Sequence, residues 1–317
     1  MASSNPNPNP NPIFVTADSI HALLSHQSLI RHFHSTLSAL SSSVHTPLRH
    51  SHHLRSAAGR RRRGGRLPSS SCTPGVHAVF VLFSSLTGQP LATVDATVLT
   101  LYRTACVSGL ASELLSRADS KVLVMVGSGS LAPHLIRAHL SARPGIERVI
   151  IWNRSPQKAA ALAAKMSDDE GLKAVRFESG EVLDEIVGLG DIVSCATNSE
   201  EPLVRGEKLK AGAHLDLVGS FKETMRECDD AALARAGRVF VDCAAAFVEA
   251  GELVGAAERG VAVERGGELP ELAGGARAGR RSEEEVTVFK SVGSAVVDLL
   301  AAQLVYEEYV KRSGGSL

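Results

Sequence analysis

Gly127, Ser128, Gly129 and Ser130 are the residues whose types and spacing point most directly to chemistry. They follow an apolar run, Val122–Val126, and lead into Leu131–Leu140, where apolar residues fall at helical intervals. Strand, glycine turn and helix in that order open a dinucleotide site. The glycines let the backbone turn sharply and approach a pyrophosphate, whose charge then rests at the helix N-terminus. The third glycine of the usual G-x-G-x-x-G is Ala132 here, and close helix–strand packing needs only a small residue at that place. Such a turn can also be a plain strand–helix connection; the βαβ pattern around it favours a cofactor.

A second strand pattern ends IIWNRSP. Asn153, Arg154 and Ser155 stand where an enzyme preferring NAD has an acid for the ribose 2′-hydroxyl. An arginine and a hydroxyl suit a 2′-phosphate instead, through charge-assisted hydrogen bonds, so NADPH is expected over NADH. The alternative is an ordinary exposed turn.

Arg103 falls between Leu99 and Cys106/Val107 on the apolar stripe of a helix read over residues 97–117. A buried guanidinium needs a partner. Arg103 either reaches the surface, pairs with a structural carboxylate, or clamps the carboxylate of a substrate bidentately. Thr104 beside it could serve a cofactor phosphate.

Other chemistries lack their residues. There is no G-x-S-x-G, H-E-x-x-H, P-loop or paired Cys/His spacing, and no metal site is expected. The histidines between 45 and 53 are irregularly spaced and read as a solvated loop. The Arg60–Arg63 run has no aromatic or helical companion, so neither nucleic acid nor membrane is an expected partner. No apolar run approaches the roughly 18 residues of a membrane span.

Charge is unevenly spread. Residues 1–90 hold eight arginines, no lysine and one acid, Asp18. Five cysteines (Cys72, Cys106, Cys195, Cys228 and Cys243) lack C-x-x-C spacing, which suits a reducing compartment. The Ser-rich, acid-poor N-terminal region fits an organelle address; plastid or cytoplasm is the expected location.

The elements that must position these residues follow from periodicity. Residues 1–12, with their Asn-Pro repeats, read as a disordered leader, and 14–39 as helical. Residues 51–73 show no apolar period and read as an exposed basic segment. VHAVFVLFSS and PLATVDA read as a strand pair. From Lys121 to about Asp242 the strands VLVMV, RVIIW, DIVSCA, HLDLVG and RVFVD alternate with helical stretches, which implies a parallel sheet covered on both faces. Residues 264–281 read as irregular, and EVTVFKSVGS precedes a closing helix over 295–311.

TPLR at 46–49, LATVDATVLTLYRTA, MVGSGSLAPHLIRAHL, VIIWNRSP, DIVSCATNS, LDLVGSF and TVFKSVGS together resemble the ornithine cyclodeaminase/mu-crystallin family. The resemblance is nearest to its plant ketimine reductases, which make pipecolate in systemic acquired resistance. It implies an α/β fold: a Rossmann domain (119–293) inserted into an α+β substrate and dimerisation domain (13–118 plus 294–317). It also implies a homodimer reducing a cyclic imine carboxylate with NADPH. By resemblance Arg49 and Arg103 would hold the substrate carboxylate. Gly127, Ser128, Gly129, Ser130 and Leu131 would cradle the pyrophosphate, and Asn153, Arg154 and Ser155 the 2′-phosphate. Thr104, Thr197, Asn198 and Ser291 would lie near the cofactor, with Phe289 and Gly293 at its nicotinamide end. No proton donor is assigned.

Two departures stand out. Phe221 occupies the place of the acid that assists ornithine cyclodeaminases. Residues 51–73 replace two apolar stretches ending in Gly-Val-Lys, and no lysine precedes Lys121. The expectation is a chain that binds NADPH but reduces imines slowly. Ornithine cyclodeamination and non-catalytic ligand binding of the mu-crystallin kind are the alternatives.

Overall fold

The computed structural model describes residues 12–40 and 78–314. The chain opens with β1 (Ile13–Val15), α1 (Ala17–Leu23) and α2 (His26–Leu40), then β2 (Val79–Phe83), β3 (Pro90–Asp95) and α3 (Ala96–Leu115). Next come β4 (Val122–Val126), α4 (Ala132–Ala142), β5 (Arg148–Trp152), α5 (Pro156–Ser167), β6 (Arg176–Ser179), α6 (Leu183–Val187), β7 (Ile192–Cys195) and β8 (His214–Leu217). The remainder is α7 (Asp230–Ala236), β9 (Arg238–Val241), α8 (Ala246–Glu249), β10 (Glu264–Glu268), α9 (Leu269–Ala273), β11 (Thr287–Lys290) and α10 (Ala295–Arg312).

Eight strands form one parallel sheet, ordered β10-β9-β11-β8-β7-β4-β5-β6. Its inner strands β7, β8, β9 and β11 are buried at every position, which is why they read as continuous apolar runs. Successive residues serve opposite faces. Leu123 and Met125 pack with α3, α4 and α5, whereas Val124 and Val126 pack with α6 and α7. The chain runs outward from β4 to β6, then returns to β7 on the other side of β4. That reversal opens a crevice beyond the carboxyl ends of β4 and β7, where such sheets bind ligands.

A smaller sheet, β1-β3-β2, pairs β1 parallel and β2 antiparallel to β3. The closing helix α10 returns to pack on α1, α2, α3 and β2. Asp95 ends β3 and also caps α3, accepting from the Val98 amide at 3.0 Å. At the far end of α3, the Leu115 carbonyl accepts from Thr287 Oγ1 at the start of β11. Midway, Ser108 donates to Asp216 of β8 at 2.9 Å. α3 therefore runs antiparallel to the strands, and its N-terminal half reaches the crevice end of the sheet.

Asp216 anchors a fully buried network. It also accepts from Ser194 at 2.7 Å and lies 3.3 Å from His139 Nε2, whose Nδ1 meets Ser112 Oγ at 2.8 Å. Its hydrogen bonds and the neighbouring imidazoles hold the carboxyl below its ordinary range against the opposing effect of burial. The network ties α3 and α4 to the sheet through paired polar groups, which makes each member costly to remove.

Three expectations change. The segment 14–39 is not one helix: β1 comes first, then α1, whose amides Thr16 caps, and a break at Leu24-Ser25. Residues 264–281 contain β10 and α9, with a register shift between Arg265 and Gly267. β6 is an additional strand. Both β6 and β10 are edge strands with one strand neighbour each and polar sequences, so neither carries an apolar period. Residues 51–73, Arg49 and Cys72 lie outside the described residues, as do the histidines from 45 to 53 and the Arg60–Arg63 run.

Candidate functional site: a dinucleotide crevice and its carboxylate-braced loops

Gly127 leaves β4 at φ +110°, and a Cβ there would sit 2.5 Å from the Ala196 carbonyl oxygen beyond β7. Only glycine permits this turn and this approach. Gly129, by contrast, faces open space, leaving room for a ligand against the backbone. Ser128 Oγ is buried without a hydrogen-bond partner, and Ser130 is exposed. α4 begins after its N-cap Leu131 with no side-chain cap. Ala132 and His134 donate to the Gly129 and Leu131 carbonyls at 3.0 Å and Pro133 has no N–H, so what the helix start offers an anion is its dipole and the loop that precedes it. An orphaned hydroxyl, an open glycine and an uncapped helix of 11 residues fit the pyrophosphate of a dinucleotide.

Asn153, Arg154 and Ser155 follow β5 along the same edge. Asn153 donates to the Ser155 carbonyl at 3.2 Å, shaping the turn, and Arg154 and Ser155 are exposed. Ser155 is the N-cap of α5 but makes no capping hydrogen bond with its side chain, so its hydroxyl remains available. A cation, a free hydroxyl and a second helix N-terminus could together meet a phosphate.

Beyond β7 and β8 the loops are braced by acids. Glu227 Oε1 accepts from the Thr197 amide at 2.6 Å and from Thr197 Oγ1 at 2.9 Å, while Oε2 accepts from the Gly219 amide at 2.7 Å. Behind it, Glu252 accepts from the Glu227 amide at 2.7 Å and lies 2.6 Å from Ser220 Oγ. Asp242, at the end of β9, accepts from the amides of Cys243, Val292 and Gly293 at 2.9, 3.1 and 2.6 Å. Burial pushes the carboxyls of Glu227 and Asp242 above their ordinary range, against the pull of buried Lys290 and these hydrogen bonds. Lys290 itself donates to the Leu217 carbonyl at 3.2 Å.

Thus Thr197, Ser291 and Gly293 lie on loops at the crevice edge, and Asn198 is exposed beside Thr197. Phe289 is wholly buried within β11, between Asp216 of β8 and Phe240 of β9 in register. It backs the crevice edge from inside the sheet. Arg103 and Thr104 are half-buried on α3, about one and a half turns beyond the Ser108–Asp216 bond toward the crevice. Arg103 Nε lies 2.8 Å from Asp298 of α10, so its stripe position is satisfied by a carboxylate. Phe221, two residues past Gly219, is exposed, with Lys222 Nζ 5.7 Å from its ring centroid.

The sequence reading missed Glu227, Glu252, Asp242 and Lys290. Two of them left a signal: Asp242 directly follows the apolar run Val239–Val241 of β9, and Lys290 ends β11 as a charge in a wholly buried strand. Among the described residues, no three metal-type ligands cluster and no helix is long and apolar enough to cross a membrane.

Comparison with known proteins agrees with this geometry. The family model of the ornithine cyclodeaminase/mu-crystallin family matches residues 66–313. The chain is 52% identical over 320 residues to Protein SAR DEFICIENT 4 of Arabidopsis thaliana, covering 95% of this chain and 98% of that one. It is 41% identical over 238 residues to the Delta(1)-pyrroline-2-carboxylate reductase of Colwellia psychrerythraea, covering 74% of each. Among solved structures, the Thermococcus litoralis Delta(1)-pyrroline-2-carboxylate reductase, in complex with NADH and L-proline, superposes with a TM-score of 0.84 at 26% identity. That match covers 96% of this chain and 99% of the other.

Proposed function

This chain belongs to the ornithine cyclodeaminase/mu-crystallin family, and from that premise we propose that it is an NADPH-dependent ketimine reductase converting a cyclic imine carboxylate, dehydropipecolate, to pipecolate. The chain is an oxidoreductase acting on a C=N bond with a nicotinamide cofactor, as its reductase relatives imply. The finer reading, NADPH and a six-membered imine, draws support from Arg154 and Ser155 after β5 and from likeness to the Arabidopsis protein. A role in plant systemic acquired resistance belongs to the same reading.

One observation carries it: α3 brings Arg103 to the crevice end of the sheet, onto which the glycine loop also opens. In this reading the Arg103 guanidinium, with Asp298 against its Nε edge, turns its terminal nitrogens to the substrate carboxylate. The nicotinamide, when bound, supplies the hydride. Gly127–Leu131 hold the pyrophosphate, Asn153–Ser155 the 2′-phosphate, and the loops at Thr197 and Ser291–Gly293 bound the reacting end. With Arg49 also engaging the carboxylate, the imine carbon is fixed in line for transfer, which is where most of the rate is gained.

The homodimer belongs to this proposal. Phe14, Val79, Val81 and Phe83 lie exposed on one face of the small sheet, with Phe14 and Val81 in register on either side of Thr93. A second copy is the partner that such a contiguous apolar face favours. The acid-poor N-terminal region supports import into the plastid as the proposed location.

The test is NADPH oxidation by the purified chain with Δ1-piperideine-2-carboxylate and with Δ1-pyrroline-2-carboxylate. Turnover of the six-membered ring with pipecolate as product supports the reading; cofactor binding without turnover of either imine overturns it in favour of a non-catalytic binding protein.

A further inference from the structure

The carboxylate of Glu227 joins two loops that no hydrogen-bond ladder joins. β7 and β8 are neighbours in the sheet, but past Cys195 and Leu217 the ladder ends, and the chain continues as Thr197-Asn198 and Gly219-Ser220-Phe221. Glu227 takes both amides, one on each oxygen, and the Thr197 hydroxyl as well. The approach is close: a Cβ at Gly219 would lie 2.1 Å from the Thr197 carbonyl oxygen and 2.4 Å from Glu227 Oε1. Glu252, itself fully buried, then fixes Glu227 and Ser220 from behind.

We infer that Glu227 is a positioning residue: by clamping the Thr197 and Gly219 loops together it sets the surface against which the nicotinamide half of the cofactor rests. The inference rests on the cofactor reading above. A dinucleotide lies across the sheet in two mononucleotide halves, one on each side of the strand-order reversal. Asn153–Ser155 belong to the β5 side, and the Glu227 clamp belongs to the β7–β8 side. Replacing the carboxylate by an amide sets an N–H₂ against one of two backbone N–H donors, so one loop must release. The adenosine half should not sense that change. The hydride-donating half should.

The experiment compares the full-length chain with Glu227→Gln and with Thr197→Val, which keeps the Thr197 amide on Glu227 and removes the hydroxyl's bonds to Glu227 and from the Ser199 amide. Binding of NADPH and of adenosine 2′,5′-bisphosphate is measured by calorimetry, and the primary isotope effect with 4-deuterated NADPH in imine reduction by stopped flow. Glu227→Gln should weaken NADPH about tenfold while leaving the bisphosphate within about twofold. The transferred-hydride rate should fall and the isotope effect on turnover should rise. Thr197→Val should move each quantity the same way by a smaller factor. Bisphosphate binding counts the folded fraction, so a variant that fails to fold loses both ligands; Thr197→Val then decides the outcome alone. Equal loss of both ligands in the folded variants, or unchanged NADPH affinity and isotope effect, overturns the inference. A wild-type chain that binds neither nucleotide overturns the cofactor reading, and this inference with it.

Discussion

Arg103 Nε and Asp298 Oδ1 lie 2.8 Å apart, joining the crevice end of α3 to the first turn of α10. The contact is ionic without the directed geometry of a hydrogen bond. It orients one edge of the guanidinium and stays short of a full fork-to-fork pair. Arg103→Lys keeps the charge but loses the planar fork. It should lower kcat/KM for a cyclic imine carboxylate by about 100-fold, or about 3 kcal/mol in transition-state stabilisation. NADPH affinity should stay near the wild-type value. Steady-state kinetics with parallel cofactor titration would check this, and an unaltered kcat/KM would remove Arg103 from the substrate site.

Cofactor preference hangs on the turn after β5. Arg154 is exposed there, next to the uncapped Ser155. Arg154→Asp should remove the counter-charge of a 2′-phosphate, add repulsion and offer a partner for a ribose hydroxyl. The ratio of NADPH to NADH affinity should fall by at least about tenfold, or one pair of charge-assisted bonds. Equal affinities for the two cofactors in the unmodified chain would refute the assignment.

Three histidines make the fold acid-sensitive. Burial first, then His134 and Arg137, bring His26 down from 6.5 to about 3; burial, His21, Arg137 and Lys165 bring His134 to about 4. His214, fully buried, falls to about 3, chiefly through burial. Each is neutral when folded and takes up a proton when unfolded. Their contribution is present above pH 6.5 and is lost as pH falls toward 4 and below. At pH 4 the loss is about 3 kcal/mol for His26 alone, taking 1.36 kcal/mol per unit. Thermal unfolding from pH 7.5 to 4 should show a steep decline in Tm. His26→Gln should flatten it; an unchanged slope would mean that the His26–His134 contact, 3.2 Å between ring nitrogens, is not held neutral.

Ornithine offers a further check. Phe221 projects from the β8 loop where the resemblance places an acid in cyclodeaminases. A phenyl ring can neither accept a proton nor assist ring closure. Ornithine with NAD should give no proline and no ammonia by amino-acid analysis, under conditions where the cyclic imine is reduced. Measurable proline would favour the cyclodeaminase.

The inner strands of the large sheet were legible because nearly every position is buried, which leaves an uninterrupted apolar run such as Val122–Val126. The glycine turn was legible too, since Gly127 has a steric reason to be glycine. β6 and β10 escaped because an edge strand can be polar. The braces escaped for a different reason. Apart from the adjacent Cys243 amide, Glu227, Glu252 and Asp242 act on backbone amides 8 to 51 positions away, and no local pattern encodes which amides a buried carboxylate will find. Arg103 stood out in its stripe, but its partner on α10 is nearly 200 residues away, beyond the reach of periodicity.

Asp95 closes β3 and starts α3 with no residue between them, and the Asp216 network fastens α3 to the large sheet. The small sheet, the helix carrying Arg103 and the nucleotide-side sheet are therefore coupled as a single mechanical frame. Swinging the small sheet away would have to bend α3 or tear buried hydrogen bonds, a cost of several kcal/mol. The gap between the guanidinium and the glycine turn is thus a fixed gauge. On the proposed reading of Arg103, substrate would enter and product leave by movement of surface loops and side chains, with the frame held still.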